Sequence, residues 1–350
     1  MKNLLRLIIA LVMLARLTVP PGVYADVISP PPLDITSCIH TISPNISGAP
    51  NDEAWGINNS GNIVGFSADQ YFGSGNTNYA WIYNIGTGNF TICTYPGSLF
   101  TKFYGINNNN LIVGTYGDNS SSTISYAISY DGSTYNSYQI PNGYNTYANG
   151  INGATIVGNY SDNNQLSHGF TYTGGSLTYP VDYINGGLTY QTQLQGINQS
   201  GIMVGFYLDS SNIPHGLIRY ADGTFQTIDV IWGTLGTILY GINNNWILGA
   251  FYNDSGYHGF IYHTLGDYYY SLAANNVIQI EGNGFNDNLQ MVGFYLGADG
   301  YEHAFYTDSL AGILTDCPTD PPSIPIPATY LLFGSALASL ALWRWKCRQR

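Results

Sequence analysis

Charge is what this chain has least of: only 9% of its 350 residues are Asp, Glu, Lys or Arg. Seven of the nine cations lie at the two ends, at Lys2, Arg6, Arg16, Arg344, Lys346, Arg348 and Arg350, leaving Lys102 and Arg219 in the body. All 21 acids fall between Asp26 and Asp320, so the body sets two cations against 21 acids, a net of −19. Nucleic-acid affinity comes largely from Lys and Arg displacing counterions from phosphates, and this balance excludes it. The acidity favours solubility outside the cell and, in a sharper reading, attracts cations or basic partners.

Catalytic signatures are missing as well. The chain has no G-x-S-x-G, no H-E-x-x-H, no C-x-x-C and no phosphate-cradling G-x-x-x-x-G-K. Glutamate is scarce: Glu53, Glu281 and Glu302 are the only copies. Long apolar runs are absent from the body; in 241–262, for example, Gly, Asn and Asp interrupt the apolar residues every few positions, and no helix runs through such a pattern. What is abundant is Gly, with 42 copies, and Tyr, with 31. That composition suits short strands and tight turns, and the rings supply ample surface to bury.

The body repeats one phrase. Gly-Ile-Asn begins at Gly56, Gly105, Gly150, Gly196 and Gly241, with Gly-Phe-Asn at Gly284, at spacings of 49, 45, 46, 45 and 43 residues. Each copy continues with an apolar pair before Gly, as in Ile63-Val64-Gly65 and Met291-Val292-Gly293. A third segment follows after a turn, from Tyr79-Ala80-Trp81 to His303-Ala304-Phe305, and the best copies add a fourth, such as 223–230. Four short strands in about 45 residues is the signature of a propeller blade, so the reading is all-β, a six-bladed β-propeller built from ~45-residue repeats. A stacked β-solenoid is the alternative. Asn58-Asn59-Ser60-Gly61 and its equivalents read as the first hairpin turn, since Asn and Gly tolerate positive φ. The stretch before the first phrase, LDITSCIHTISP, resembles a fourth strand, and the sixth unit ends soon after its third. A ring that borrows its last strand from the N-terminus leaves no free edge. Cys38 lies on the first of these pieces and Cys317 just beyond the second, which suggests a disulfide clasp in an oxidising compartment; two unpaired thiols are the alternative.

The ends carry addresses. Residues 1–25 have Lys2 and Arg6, an apolar run from Leu7 to Ala15, and small residues before Asp26, the layout of a signal peptide. Residues 26–34 then read as a linker, 35–317 as the repeat domain, 318–327 as a Pro-rich linker and 328–350 as a hydrophobic helix with a basic tail. The apolar run Ala328–Trp343 makes about 24 Å of helix, slightly short of a bilayer core of about 30 Å. Its plain reading is a membrane anchor, with the cations on the cytoplasmic side.

Two resemblances bear on these parts. Ile324-Pro325-Ile326-Pro327-Ala328, then Leu332-Phe333-Gly334-Ser335, an apolar helix and a basic tail resemble the PEP-CTERM sorting signals, in the variant with a V-P-L-P-A-like opening. That resemblance implies recognition by an exosortase in a Gram-negative bacterium whose surface carries exopolysaccharide. The repeats resemble the HAF family of extracellular repeats, whose naming triplet stands intact at His303-Ala304-Phe305. This resemblance covers about residues 35–310 and implies secretion and a propeller-like fold, with no established activity. The first two copies depart from it, with Tyr79 and Tyr126 where the others have His.

Does the repetition carry chemistry? His168, His215, His258 and His303 share one repeat position, each on its own blade, which points to a structural hydrogen bond rather than a metal centre. The recurring acids Asp69, Asp118, Asp162, Asp209, Asp254 and Asp299 sit in turn contexts and lack the alternating ligands of a calcium loop, so no cofactor is expected beyond weak Ca2+ binding at these turns. Glu53, Glu281 and Glu302 break the repeat and are the first acids to consider for glycoside cleavage. Trp232, Trp246, Tyr268, Tyr269 and Tyr270 also break it, and flat amphipathic rings can stack sugars; packing between blades is the alternative. Three functions follow as expectations: a surface-sorted module binding polysaccharide or another surface component without catalysis, an extracellular carbohydrate-active enzyme, or a purely structural matrix component.

Overall fold

Each Gly-Ile-Asn phrase, and the Gly-Phe-Asn variant, closes the first strand of an antiparallel sheet, and six such sheets form a six-bladed β-propeller. The computed structural model describes residues 32–70, 78–118 and 124–314. The signal segment, Cys317 and the C-terminal linker, helix and tail lie outside these residues. Among the described residues no helix is long and apolar enough to cross a membrane.

Blades 1 to 5 each run from an inner to an outer strand in chain order. Blade 1 begins with Asn51–Ile57, blade 2 with Phe100–Ile106, blade 3 with Tyr144–Asn152, blade 4 with Gln191–Ile197 and blade 5 with Gly236–Asn243. Blade 6 supplies Val277–Phe285, Met291–Gly297 and Glu302–Thr307. Its outer strand is Ile39–Ile42, antiparallel to Glu302–Thr307 with Ile39 opposite Thr307 and Ile42 opposite Ala304. The ring therefore closes with the N-terminal strand, as the sequence suggests. One strand was not expected: Pro32–Asp34 adds in parallel to the outer strand of blade 5, Tyr268–Ala273.

The core lies between blades rather than in one centre. Six apolar clusters fill the six junctions. Between blades 4 and 5, for example, Val204 and Ile218 meet Leu239, Ile247 and Phe260. Full burial of each such side chain stabilises by about 1.5–3 kcal/mol. The middle strands are apolar at successive positions, as in Ile63-Val64-Gly65-Phe66, because side chains alternate between faces and both faces of a blade are buried: Ile63 serves one junction and Val64 the other.

The repeated phrase divides its labour. Its Asn caps the hairpin turn: Asn58 Oδ1 accepts the Ser60 and Asn62 N–H groups at 3.1 and 3.0 Å, and Asn107, Asn198 and Asn286 do likewise. The same side chain reaches the next blade. Asn58 Nδ2 donates to Asn107 O at 3.1 Å, Asn107 to Gly153 O at 2.8 Å, Asn198 to Asn244 O at 3.1 Å and Asn286 to Asn58 O at 3.2 Å. Its Gly permits contact between inner strands. A Cβ on Gly56 would lie 3.1 Å from Gly105 Cα, and the relation passes through Gly150, Gly196, Gly241 and Gly284 back to Gly56. The six glycines make a closed ring in which each backbone rests on the next.

Candidate functional site

The residue before each of these glycines is a β-bulge. The register of the inner strand slips at Trp55, Tyr104, Asn149, Gln195, Tyr240 and Asn283, so that each is left out of its ladder. Trp55 packs edge-on against Tyr104 at 5.2 Å and against Tyr240 at 6.0 Å. Blades 1 and 5 are not neighbours, so the second contact crosses the axis. Asn149 and Asn283 instead donate to the carbonyls of Leu194 and Ala54 on the next inner strands, at 2.8 and 3.0 Å. The bulges thus plug the channel with rings and stitch it with amides.

On one side of this plug the phrase opens into a mouth of about 420 Å3. Its apolar ring is Ile57, Ile106, Ile151, Ile197, Ile242 and Phe285, one from each blade. Carboxamides surround the ring, among them Asn59, Asn108, Asn109, Asn152, Gln199 and Asn243. Among the described residues Asp287 is the sole ionisable one lining the mouth. It stands where the other copies carry Asn59, Asn108, Gly153, Gln199 and Asn244. Its carboxylate accepts from Asn59 Nδ2 at 2.5 Å, Gln199 Nε2 at 3.2 Å and Asn243 Nδ2 at 3.2 Å, which gathers blades 1, 4 and 5 onto blade 6.

On the other side of the plug the three glutamates converge. Glu53, Glu281 and Glu302 are all buried, at 0, 3 and 1% exposure. Glu53 accepts the Trp55 indole N–H at 3.0 Å. Burial, then the negative charge of Glu281 and Glu302, raises the Tyr257 hydroxyl well above its ordinary pKa, so this phenol stays protonated. Lys102 occupies the repeat position of Glu53 and Glu281 in blade 2 and holds its ammonium 4.8 Å from the centre of the Phe66 ring. The irregular residues are therefore brought together, beneath the aromatic plug rather than in an open cleft. Nearby, burial pushes the Asp52 carboxyl up to about 6.

The five rings singled out in the sequence divide between two junctions. Trp246 is buried and packs on His263 at 4.3 Å and Tyr268 at 6.1 Å, and Tyr268 and Tyr270 lean on the core between blades 5 and 6. Tyr269 stacks on Tyr262 at 4.5 Å and, with Trp232, borders the core between blades 4 and 5. Cys38 is buried, its thiol 3.3 Å from the Ile35 carbonyl oxygen. The four repeat histidines stay on separate blades. His168 Nδ1 meets Asp182 at 2.6 Å, His215 Nδ1 meets Asp229 at 2.9 Å, His258 Nε2 meets Ser255 at 2.7 Å and His303 Nε2 meets Asp299 at 3.0 Å. Asp162 and Asp209 each give Oδ1 to the backbone N–H groups of their own turn, while Oδ2 faces the histidine of the same blade, at 3.7 Å from His168 Nε2 and 3.6 Å from His215 Nε2. Among the described residues no group of three His, Cys, Asp or Glu side chains is placed to hold a metal ion.

The mouth escaped the sequence reading because its Asn residues read as turn formers, which they also are. The available signal was that an identical Ile-Asn pair ends the inner strand of nearly every unit, and six inner strands of a ring must converge.

No family model matches the chain, and no curated protein matches it in sequence. Solved structures similar to it include TolB from Acinetobacter baumannii, with a TM-score of 0.46 and 10% identity over 71% of this chain and 64% of that one. A luciferin-regenerating enzyme aligns with a TM-score of 0.44 and 9% identity over 78% of this chain and 95% of the other. The β-propeller domain of the Trilobed protease from Pyrococcus furiosus gives a TM-score of 0.42 and 9% identity over 72% and 80% of the two chains. Likeness at this level assigns no activity.

Proposed function

We propose that this protein is a non-catalytic binding module that takes a polyhydroxylated ligand, a residue of surface or matrix polysaccharide, into the axial mouth. The mouth itself carries the reading. Carboxamides offer a donor and an acceptor side by side, which suits vicinal hydroxyls, and the apolar ring beneath them suits the C–H face of a sugar. The cavity is the size of a small organic ligand rather than of an ion. Burial of Glu53, Glu281 and Glu302 beneath the plug favours binding over the enzyme reading, because a general acid must reach its substrate. The signal segment and the PEP-CTERM-like tail support export, sorting by an exosortase-like enzyme, and residence at the cell surface or in the exopolysaccharide matrix. In that compartment Cys38 and Cys317 are proposed to pair, which non-reducing peptide mapping tests directly.

The experiment is to mix the purified protein with exopolysaccharide from the producing organism and follow co-sedimentation and new reducing ends in the same tubes. Binding without new ends, weakened at least tenfold by Asn108→Ala with Gln199→Ala, is the expected result. New reducing ends that disappear in Glu53→Gln would replace the binding module with a hydrolase.

A further inference from the structure

Asp287, the one ionisable group among the described residues that line the mouth, puts a carboxylate where a neutral sugar needs none. The position is otherwise Asn, Asn, Gly, Gln and Asn around the ring, so neither the turn nor the fold demands a carboxylate. The groups that reach it, Asn59, Gln199 and Asn243, are neutral amides, and they leave its charge uncompensated. The two cations of the body do not line the mouth: Lys102 is buried against Phe66, and Arg219 sits on the third strand of blade 4 beside Phe225. Gln199 crosses the opening from blade 4 to blade 6 in long contacts of 3.2 and 3.4 Å, and it is exposed. An incoming cationic group displaces it at little cost.

Resting on the binding reading above, we infer that the mouth selects a sugar bearing a free ammonium, an unacetylated amino sugar, with Asp287 as the residue that recognises it. The ammonium takes the place of the Gln199 amide on the carboxylate. The ring hydroxyls meet the surrounding carboxamides, and the C–H face rests on Ile57, Ile106 and their equivalents. An ammonium on a carboxylate makes a charge-assisted bond roughly twice as strong as the neutral amide contact it replaces. The net of −19 on the body adds long-range attraction for a polycationic chain and repels uronates and sulfated sugars.

Titration calorimetry on the full protein tests this with four probes: glucosamine oligomers, their N-acetylated counterparts, cello-oligosaccharides and uronate oligomers. The expected result is at least tenfold tighter binding of the glucosamine oligomer than of the acetylated one in dilute buffer, a difference of about 1.4 kcal/mol. The advantage should shrink several-fold at high salt. Asp287→Asn should erase the preference, with thermal melting verifying its fold. Asp131→Asn, which removes the same charge from an exposed turn of blade 2, should keep it. Equal binding of aminated and acetylated oligomers by the unaltered protein, or a preference that survives Asp287→Asn, overturns the inference and leaves the binding module standing. Absence of binding by every probe and by the native exopolysaccharide overturns both.

Discussion

Replacing Gly241 by Ala puts the closed ring of glycines to a quantitative test. The new Cβ would lie 2.4 Å from the Asn283 carbonyl oxygen and 3.4 Å from Gly284 Cα. Both neighbours are backbone, so relief requires an inner strand to move. That strand cannot move alone, because the next glycine, Gly284, already rests on Gly56 and so closes the circuit. Overpacking a well-filled site costs about 1–3 kcal/mol, and a backbone clash in a closed ring belongs at the upper end. Against this, Gly→Ala at a compatible site stabilises by about 0.4–1 kcal/mol through the unfolded chain. The clash wins, with a net loss of about 2–3 kcal/mol, which for a domain of this size lowers the melting temperature by roughly 3–5 °C. Gly56→Ala, whose tightest contacts are 3.1 Å, should cost visibly less. Gly312→Ala, with nothing within 4 Å of its Cβ, should be neutral or slightly stabilising. Urea unfolding with an unchanged slope measures all three. A Gly241→Ala protein within 0.5 kcal/mol of the parent, or a Gly56→Ala protein less stable than it, would refute the ring as a mechanical constraint.

Three further outcomes are expected. Asn286→Ala removes a turn cap that accepts two N–H groups and a donor to Asn58 O across the seam between blades 6 and 1, and should cost about 2–4 kcal/mol in the same unfolding assay. Asp52 is held up at about 6 by burial, so the folded state favours its protonated form; this contribution is present below about pH 4 and lost as pH rises through about 6. Asp52→Asn should therefore stabilise the protein at pH 7 by up to about 3 kcal/mol, and melting at pH 4 should show the gain gone. For His168, hydrogen bonding to Asp182 is the largest cause that raises its pKa, partly opposed by burial, so its pairing supports the fold below about pH 6.5 and fades as pH rises through the raised folded value. His168→Gln should flatten the fall in unfolding midpoint between pH 6 and 8.

The blades were legible because their information is local. A strand, an Asn-rich turn and a second strand lie within about a dozen residues, and the sixfold recurrence of Gly-Ile-Asn makes each copy confirm the others. Closure was legible for the same reason, since a lone fourth strand at the start answers a missing one at the end. The channel was not, because it is assembled across blades. The bulge position carries Trp55, Tyr104, Asn149, Gln195, Tyr240 and Asn283, too varied to show as a repeat, and its meaning appears only when rings from blades 1 and 5 touch. Glu53, Glu281 and Glu302 stood out as exceptions, and the structure brings them together, but sequence gave no sign that the aromatic plug would cover them. Trp246 shows the limit on single residues: a ring that exceeds the repeat is as easily a core residue against His263 as a platform.

The closing strand has a consequence for how the protein is made. Ile39–Ile42 is among the first segments to leave the ribosome, yet its partner strand is among the last of the body; 268 residues separate His40 from Asp308, which it bonds. Blades 1 to 5 can form as local hairpins while synthesis proceeds, but the leading segment must wait without a sheet to join. Joining ends that far apart costs only about 2.5 kcal/mol more than closing a fifteen-residue hairpin, since loop entropy grows with the logarithm of length. The burden is one of time rather than of energy. Once the last blade has formed, and until the leading strand docks on it, a half-apolar strand and the open edge at Glu302–Thr307 coexist in one chain, and a second molecule in the same condition is the nearest competitor for both. A circular permutant that places the closing strand directly after Thr307 would remove that interval, and should refold with less dimer formation than the natural order at equal concentration.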